Sequence, residues 1–291
     1  LSHAVESDIR SLFPASGFDR RAFVVTSLGA GFALAAGPVV AQTAITTPTD
    51  GLWTGEVKIP AAGGEMPAYV AMPATGGNFP VILVVSEIWG AHEHIRDVAR
   101  RFAKLGYFAV APELFARQGD AKAVADVQAL LRDIVAKTPD AQVMADLDAV
   151  VAYARGSGRA DASRVGITGF CWGGRTTLMY AAHNPEVKAA VAWYGATTRA
   201  FFPGDRTPLD LAATTKVPVL GLYGGADQGI PNDTVEKYFA ALKAAGNARS
   251  AFVIYADMPH GFYADYRPTY RKETADDGWK RATAWFKQHL G

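Results

Sequence analysis

The stretch Val165-Gly166-Ile167-Thr168-Gly169-Phe170-Cys171-Trp172-Gly173-Gly174 decides the reading of this chain. A β-branched run enters Gly-x-Cys-x-Gly and leaves into a helix-forming segment, so a cysteine is placed at a sharp strand-to-helix turn. Such a turn strains the backbone of its central residue, and side chains two residues to either side would collide with the crossing main chain. Gly169 and Gly173 remove those side chains, and Gly174 lets the helix approach the sheet. At the start of that helix Cys171 meets the positive end of the helix dipole, which favours the nucleophilic thiolate, and the Trp172 N–H is placed to bind an oxyanion.

Working outward, strands and helices alternate. Val81–Val85 is apolar on both faces, as in a central parallel strand covered on both sides. Tyr107–Ala111, Val165–Thr168, Ala189–Tyr194, Val217–Tyr223 and Ala251–Tyr255 read as further strands. Helices are expected at Ile95–Leu105 (closed by Gly106), Asp120–Lys137, Ala141–Arg155, Trp172–His183, Thr234–Ala245 and Tyr270–His289. Trp53–Ile59 and Met66–Met72 alternate like a hairpin around a turn at Pro60–Gly64. The expected architecture is α/β: a mostly parallel central sheet with helices on both faces and an antiparallel N-terminal edge hairpin. No internal repeat or second core is visible, so 42–291 reads as one domain.

Bulk composition narrows the function classes. With 49% hydrophobic and 20% charged residues the chain is an ordinary globular protein, and a net charge of +1 favours neither nucleic acid nor an anionic membrane as partner. Basic pairs such as Arg100-Arg101 read as solvated helix faces. The single cysteine excludes an intrachain disulfide and a Cys-rich metal site. Residues 1–41 differ from the rest: Arg20-Arg21 precedes an uncharged stretch, Ala22–Val40, and then the small residues of Val39-Val40-Ala41. This pattern reads as an export signal of twin-arginine type, with Asp19 where Ser or Thr is usual, and it predicts a periplasmic protein with no lasting membrane attachment. If the signal does not function, the protein stays in the cytoplasm. Ala44–Asp50 is a Thr/Pro-rich linker.

A cysteine nucleophile needs a base, and the base needs an orienting acid. Leu220–Asp227 is a buried strand ending in Gly224-Gly225-Ala226-Asp227, and Tyr255–Phe262 follows the next strand with His260 in a loop. The order Cys171, Asp227, His260 is the nucleophile–acid–histidine order of the elbow architecture. Asp257 competes for the acid role but stands too near His260. His92-Glu93-His94 could suggest metal ligands; with no third ligand evident, the better reading is helix-terminal or surface residues.

Together these segments resemble the dienelactone hydrolase family, carboxymethylenebutenolidase-like members of the α/β-hydrolase superfamily. The similarity covers nearly all of Trp53–Leu290. Its carriers are Val84–Gly90, Pro112–Arg117, Gly169–Gly174, Trp193–Gly195, Gly224–Asp227 and Pro259–Phe262. The resemblance implies a hydrolase that opens lactones or carboxylic esters through a thioester, with no cofactor. It also implies that Glu87 contacts the resting thiol and helps switch it to thiolate when substrate binds, and that the Ile88 N–H is the second oxyanion donor. Trp89, Arg117, Tyr194 and Arg267 are the expected substrate contacts. The sequence departs from the family's two carboxylate-binding arginines, with Ala264 at one position and no arginine from Asp120 through Ala129; Arg267 or Arg132 is left to replace them. A redox sensor or a catalytically silent scaffold are the alternatives. The missing resolving cysteine argues against the first, and the intact Cys171, Asp227 and His260 against the second.

Overall fold

The computed structural model describes residues 45–201 and 204–291; the expected export signal lies outside them. The chain begins with a hairpin, β1 (Leu52–Ala61) and β2 (Gly64–Pro73), then β3 (Phe79–Val85), α1 (Glu93–Lys104) and β4 (Phe108–Pro112). There follow α2 (Val127–Asp133), α3 (Asp140–Gly156), β5 (Ala160–Phe170), α4 (Trp172–His183), β6 (Ala189–Trp193) and the short α5 (Pro208–Leu211). The chain closes with β7 (Val219–Gly224), α6 (Asn232–Ala244), β8 (Ala251–Tyr255) and α7 (Lys272–Leu290). The eight strands form one sheet in the order β1-β2-β4-β3-β5-β6-β7-β8. Its first two pairings are antiparallel and the rest parallel. This is the expected α/β-hydrolase architecture with its antiparallel edge.

The inner strands are apolar on both faces because both faces are covered. On β5, a side chain at Gly166 would strike Phe286 of α7, whereas one at Gly169 would strike α4 at the Gly173 carbonyl. Three residues apart on a strand means opposite faces, so α7 and α4 lie on opposite sides of the sheet. On the α7 side, α1 joins through Phe102, whose ring packs against Trp279 and Phe286.

Two expectations are corrected. The single helix expected over Asp120–Lys137 is instead α2 flanked by 3-10 turns at Ala121–Ala123 and Val135–Lys137. Asp120 accepts from the Lys122 N–H, and Asp126 accepts from the Gln128 and Ala129 N–H groups, so each aspartate starts a new turn rather than continuing a helix. Arg100 and Arg101 do not face solvent. Arg100 binds Asp97, Glu93 and the Tyr69 hydroxyl, and Arg101 bridges Asp97 to Asp265 and Tyr263. Acids facing both arginines make their burial affordable in a way that charge counting along the sequence does not reveal. The linker is irregular as expected, yet Thr47 is tied to the same Asp97 through its N–H and hydroxyl.

Candidate active site

Five strands, β3, β5, β6, β7 and β8, run side by side and parallel, so their C-terminal ends form one row. Glu87 follows β3, Cys171 follows β5, Tyr194 follows β6, Asp227 follows β7 and His260 follows β8. Residues far apart in sequence are brought together here because open α/β sheets place their sites beyond the carboxyl ends of the strands.

Cys171 has φ 56° and ψ −113°, the strained turn expected of it, and its N–H is held by the Trp193 carbonyl at 3.0 Å. A Cβ on Gly173 would lie 2.4 Å from the Ser86 oxygen and 2.5 Å from the Val85 oxygen. The first turn of α4, with Trp172, is therefore pressed against the strand end that carries Glu87 and Ile88. Cys171 and His260 line one narrow cleft with Tyr194, Arg175 and Phe201.

Asp227 and His260 are both buried. The His260 Nδ1–H donates to Asp227 Oδ2 at 2.6 Å, and Asp227 Oδ1 accepts from the Gly229 N–H. His260 Nε2 has no hydrogen-bond partner within ordinary geometry, leaving it open towards the cleft it shares with Cys171. Burial of the ring disfavours its cation, but the Asp227 charge and then the Cys171 sulfur outweigh burial, and the His260 pKa is pushed up to about 10. Asp257, the rival acid, is exposed in the loop and binds nothing at His260.

Glu87 is completely buried. Its Oε2 accepts from His92 Nε2–H at 3.1 Å and from the Tyr266 hydroxyl at 3.0 Å; Arg267 Nη2 stands 3.8 Å from Oε1. Burial alone would raise this acid, but Arg267 and the two histidines His92 and His94 prevail and hold it down at about 2. Burial keeps His92 below its ordinary value, so it serves as a neutral donor. Arg267 lies over the Trp89 ring at 4.2 Å and donates Nε–H to the Tyr266 hydroxyl, while its Nη2 has no hydrogen-bond partner. Tyr194 has φ 39°, its ring is 4.9 Å from that of His260, and its buried hydroxyl is unpartnered. Among the described residues, no group of acids, histidines and cysteine is arranged to hold a metal ion.

The family model for dienelactone hydrolases, described as "Dienelactone hydrolase family", matches residues 66–290. The chain belongs to the dienelactone hydrolase family. It is 58% identical over 289 residues to a Methylorubrum extorquens protein named "Putative carboxymethylenebutenolidase", covering 98% of each chain. An Escherichia coli K12 protein of the same name is 50% identical over 275 residues, covering 92% of this chain and 98% of its own length. A crystal structure of a "Putative Dienelactone Hydrolase" from Klebsiella pneumoniae superposes with a TM-score of 0.78 at 51% identity, covering 82% of this chain and 99% of that one.

In this member of the family the structure brings Cys171, Asp227, His260, Glu87, Trp89, Tyr194 and Arg267 into one region, with Ile88 and Trp172 on the segments that frame it. Two expected contacts are elsewhere. Arg117 spends its donors on the Ala62 carbonyl and the Asp146 carboxylate, fastening the β1–β2 turn to α3. Arg132 is exposed and pairs with its neighbour Asp133. Glu87 also differs from what the resemblance implied: its hydrogen bonds go to His92 and Tyr266, Oε1 has none, and none reaches the thiol.

The sequence reading set His92 and His94 at a helix start, where they stand, but missed their burial, and it missed Asp265 and Tyr266 altogether. His92 and His94 are not surface residues: His94 is fully buried and its Nδ1–H donates to Asp265 at 2.7 Å. Their alternation directly after a strand-end glutamate was a usable signal, because it sets two rings beside a buried acid.

Proposed function

We propose that this hydrolase cleaves a carboxylic ester or lactone through a thioester acyl-enzyme on Cys171. The observation that carries the reading is His260, tied at Nδ1 to Asp227 and open at Nε2 towards the cleft that contains Cys171. With its tautomer fixed, the imidazole can move a proton only on the cysteine side.

In the acylation step the Cys171 sulfur attacks the carbonyl carbon and the carbonyl electron pair moves onto oxygen. The Trp172 and Ile88 N–H groups stabilise that oxyanion. As it collapses, the carbon–oxygen bond to the leaving group breaks, and the alkoxide takes the proton from His260 Nε2. In deacylation a water gives a proton to Nε2 and attacks the thioester, and the thiolate departs. An enol lactone or aryl ester suits this nucleophile, since a weakly basic leaving group needs little acid assistance. The carboxymethylenebutenolidase names of the relatives support a lactone substrate. Arg267, buried with no hydrogen bond at Nη2 beyond its long ion pair to Glu87, supports an anionic group on it, met by one arginine where the family resemblance implied two.

Two substitutions test the mechanism. Cys171→Ala is expected to abolish turnover of an aryl ester or enol lactone, and Cys171→Ser to leave a small fraction. Full activity in Cys171→Ala would rule the mechanism out, and peroxide-dependent turnover without esterase activity would favour a redox role. We also read residues 1–41 as an export signal. Replacing Arg20 and Arg21 by lysine should retain the protein in the cytoplasmic fraction; unchanged periplasmic recovery would refute that reading.

A further inference from the structure

We propose that Ala196, Phe201 and Ile230 form the subsite for the leaving group, and that Phe201, held in place by Arg175, limits that group to a single small ring or a short chain. The inference rests on the cysteine mechanism above and names the part of the substrate that meets this wall.

The leaving oxygen must come within hydrogen-bond reach of His260 Nε2, the atom that protonates it. Nε2 opens into the cleft that His260 shares with Cys171. Whatever that oxygen carries therefore extends between the remaining walls, among them the apolar side chains of Ala196, Phe201 and Ile230. The cation in these walls is already engaged. Arg175 is fully buried, and its Nη1–H and Nη2–H donate to the two Asp140 carboxylate oxygens at 2.8 and 2.7 Å. Walls of this kind accept an uncharged, apolar group rather than an anion. Space sets the second limit. The cleft holds about 200 Å³, its mouth included. An apolar cavity of about 150 Å³ takes one benzene ring, so this is room for one ring and not for a fused pair.

Phe201 is a fixed wall because the segment after β6 is tied down on both sides. The Arg175 guanidinium lies over the Phe201 ring, 4.8 Å from its centroid. Arg175 Nε–H donates to the Arg199 carbonyl at 2.7 Å, gripping the main chain two residues before that ring. On the other side, Arg199 Nη2–H donates to the Gly229 carbonyl at 3.2 Å, next to Ile230, and the Thr197 hydroxyl donates to the Thr234 carbonyl of α6 at 3.0 Å. Arg175 stands one turn beyond Cys171 on α4, with its N–H on the Cys171 carbonyl. The helix that carries the nucleophile thus also sets the wall.

The leaving group departs during acylation, so kcat/KM reads this subsite. Phenyl acetate and 2-naphthyl acetate give the same acetyl-enzyme and differ in the size of the group that leaves. The unaltered protein is expected to favour the phenyl ester about tenfold. Phe201→Ala should erase that preference, raising the naphthyl ester and lowering the phenyl ester about two- to threefold through lost contact. Phe201→Trp should sharpen it. Arg175→Lys keeps the charge but loses the fork to Asp140, and it should relax the preference by a smaller factor. The ratio of phenyl hexanoate to phenyl acetate, which probes the acyl side, should not follow these changes. No preference in the unaltered protein, or an unchanged phenyl-to-naphthyl ratio in Phe201→Ala, would overturn the proposal. A shift confined to the acyl series would overturn it as well, and an unchanged ratio in Arg175→Lys would remove Arg175 from it. All of these results leave the nucleophile standing, because that depends on the turnover of Cys171→Ala.

Discussion

Cys171 and Glu87 stand at the ends of adjacent strands and are held by opposite means. Cys171 is fixed by the main chain: a strained turn, an N–H held by Trp193, and glycines that let α4 touch the end of β3. Glu87 lies in an unstrained loop and is fixed by side chains, His92, Tyr266 and Arg267, reached from α1 and from a loop about 180 residues further along the chain. The first is a steric device with little freedom; the second is an electrostatic one that a single substitution can retune. The difference suits their roles. On the proposed mechanism the attacking sulfur must be placed to a fraction of an ångström, which a rigid main chain can do.

The largest expected effect is on the proposed triad. Asp227→Asn leaves the hydrogen-bonding shape but removes the charge that orients and stabilises the His260 cation, and kcat should fall on the order of 10³–10⁴-fold. Loss below tenfold would mean that another acid, Asp257 first, can serve His260. Next comes the steric device. Gly173→Ala forces a Cβ against the Ser86 and Val85 carbonyls, which backbone cannot yield cheaply. The expected cost is about 2–3 kcal/mol, a drop in Tm of roughly 5–10 °C by calorimetry. An unshifted Tm would show that β3 and α4 can part without penalty.

The electrostatic side predicts smaller, more selective changes. Arg267→Met should raise KM about tenfold for a carboxylate-bearing lactone and leave a neutral aryl ester nearly unaffected; equal losses on both would assign Arg267 to the framework instead. The two sides also differ in the sign of their pH dependence. His260 is raised from 6.5 to about 10, so its stabilisation is full below pH 6.5 and is lost as pH rises towards 10. Glu87 is lowered from 4.5 to about 2, so its stabilisation is present above pH 4.5 and is lost as pH falls towards 2. A Tm profile should therefore sag by a few degrees at both ends, with Asp227→Asn flattening the alkaline side and Glu87→Gln the acid side. A variant that flattens the wrong side would contradict the assignment.

The same contrast explains what could be read in advance. The elbow was legible because its requirements are local: glycines at fixed offsets, a β-branched strand before and a helix after. The strand ends at Asp227 and His260 were legible for the same reason, as were the apolar strands themselves, though not their order in the sheet. Tyr266 and Asp265 were not, because nothing near them in the chain says that a glutamate and a histidine from α1 will come to rest against them. Arg100 and Arg101 were misread because their partners, Glu93 and Asp97 apart, lie at Tyr69, Tyr263 and Asp265, visible only once α1, β2 and the C-terminal loop are packed together. Arg117 was misplaced by resemblance alone; its segment matches the family, but its side chain turns to Asp146.

The central claim, that Cys171 carries the acyl group, has a direct test. The protein is mixed with an aryl ester, quenched in acid within the first turnover, digested and measured by mass spectrometry. The account predicts an acyl mass on the peptide containing Cys171, formed as fast as the phenol burst and cleared as turnover proceeds. Turnover with a burst but with the acyl mass on another residue, or with none on Cys171 at any time, would contradict it.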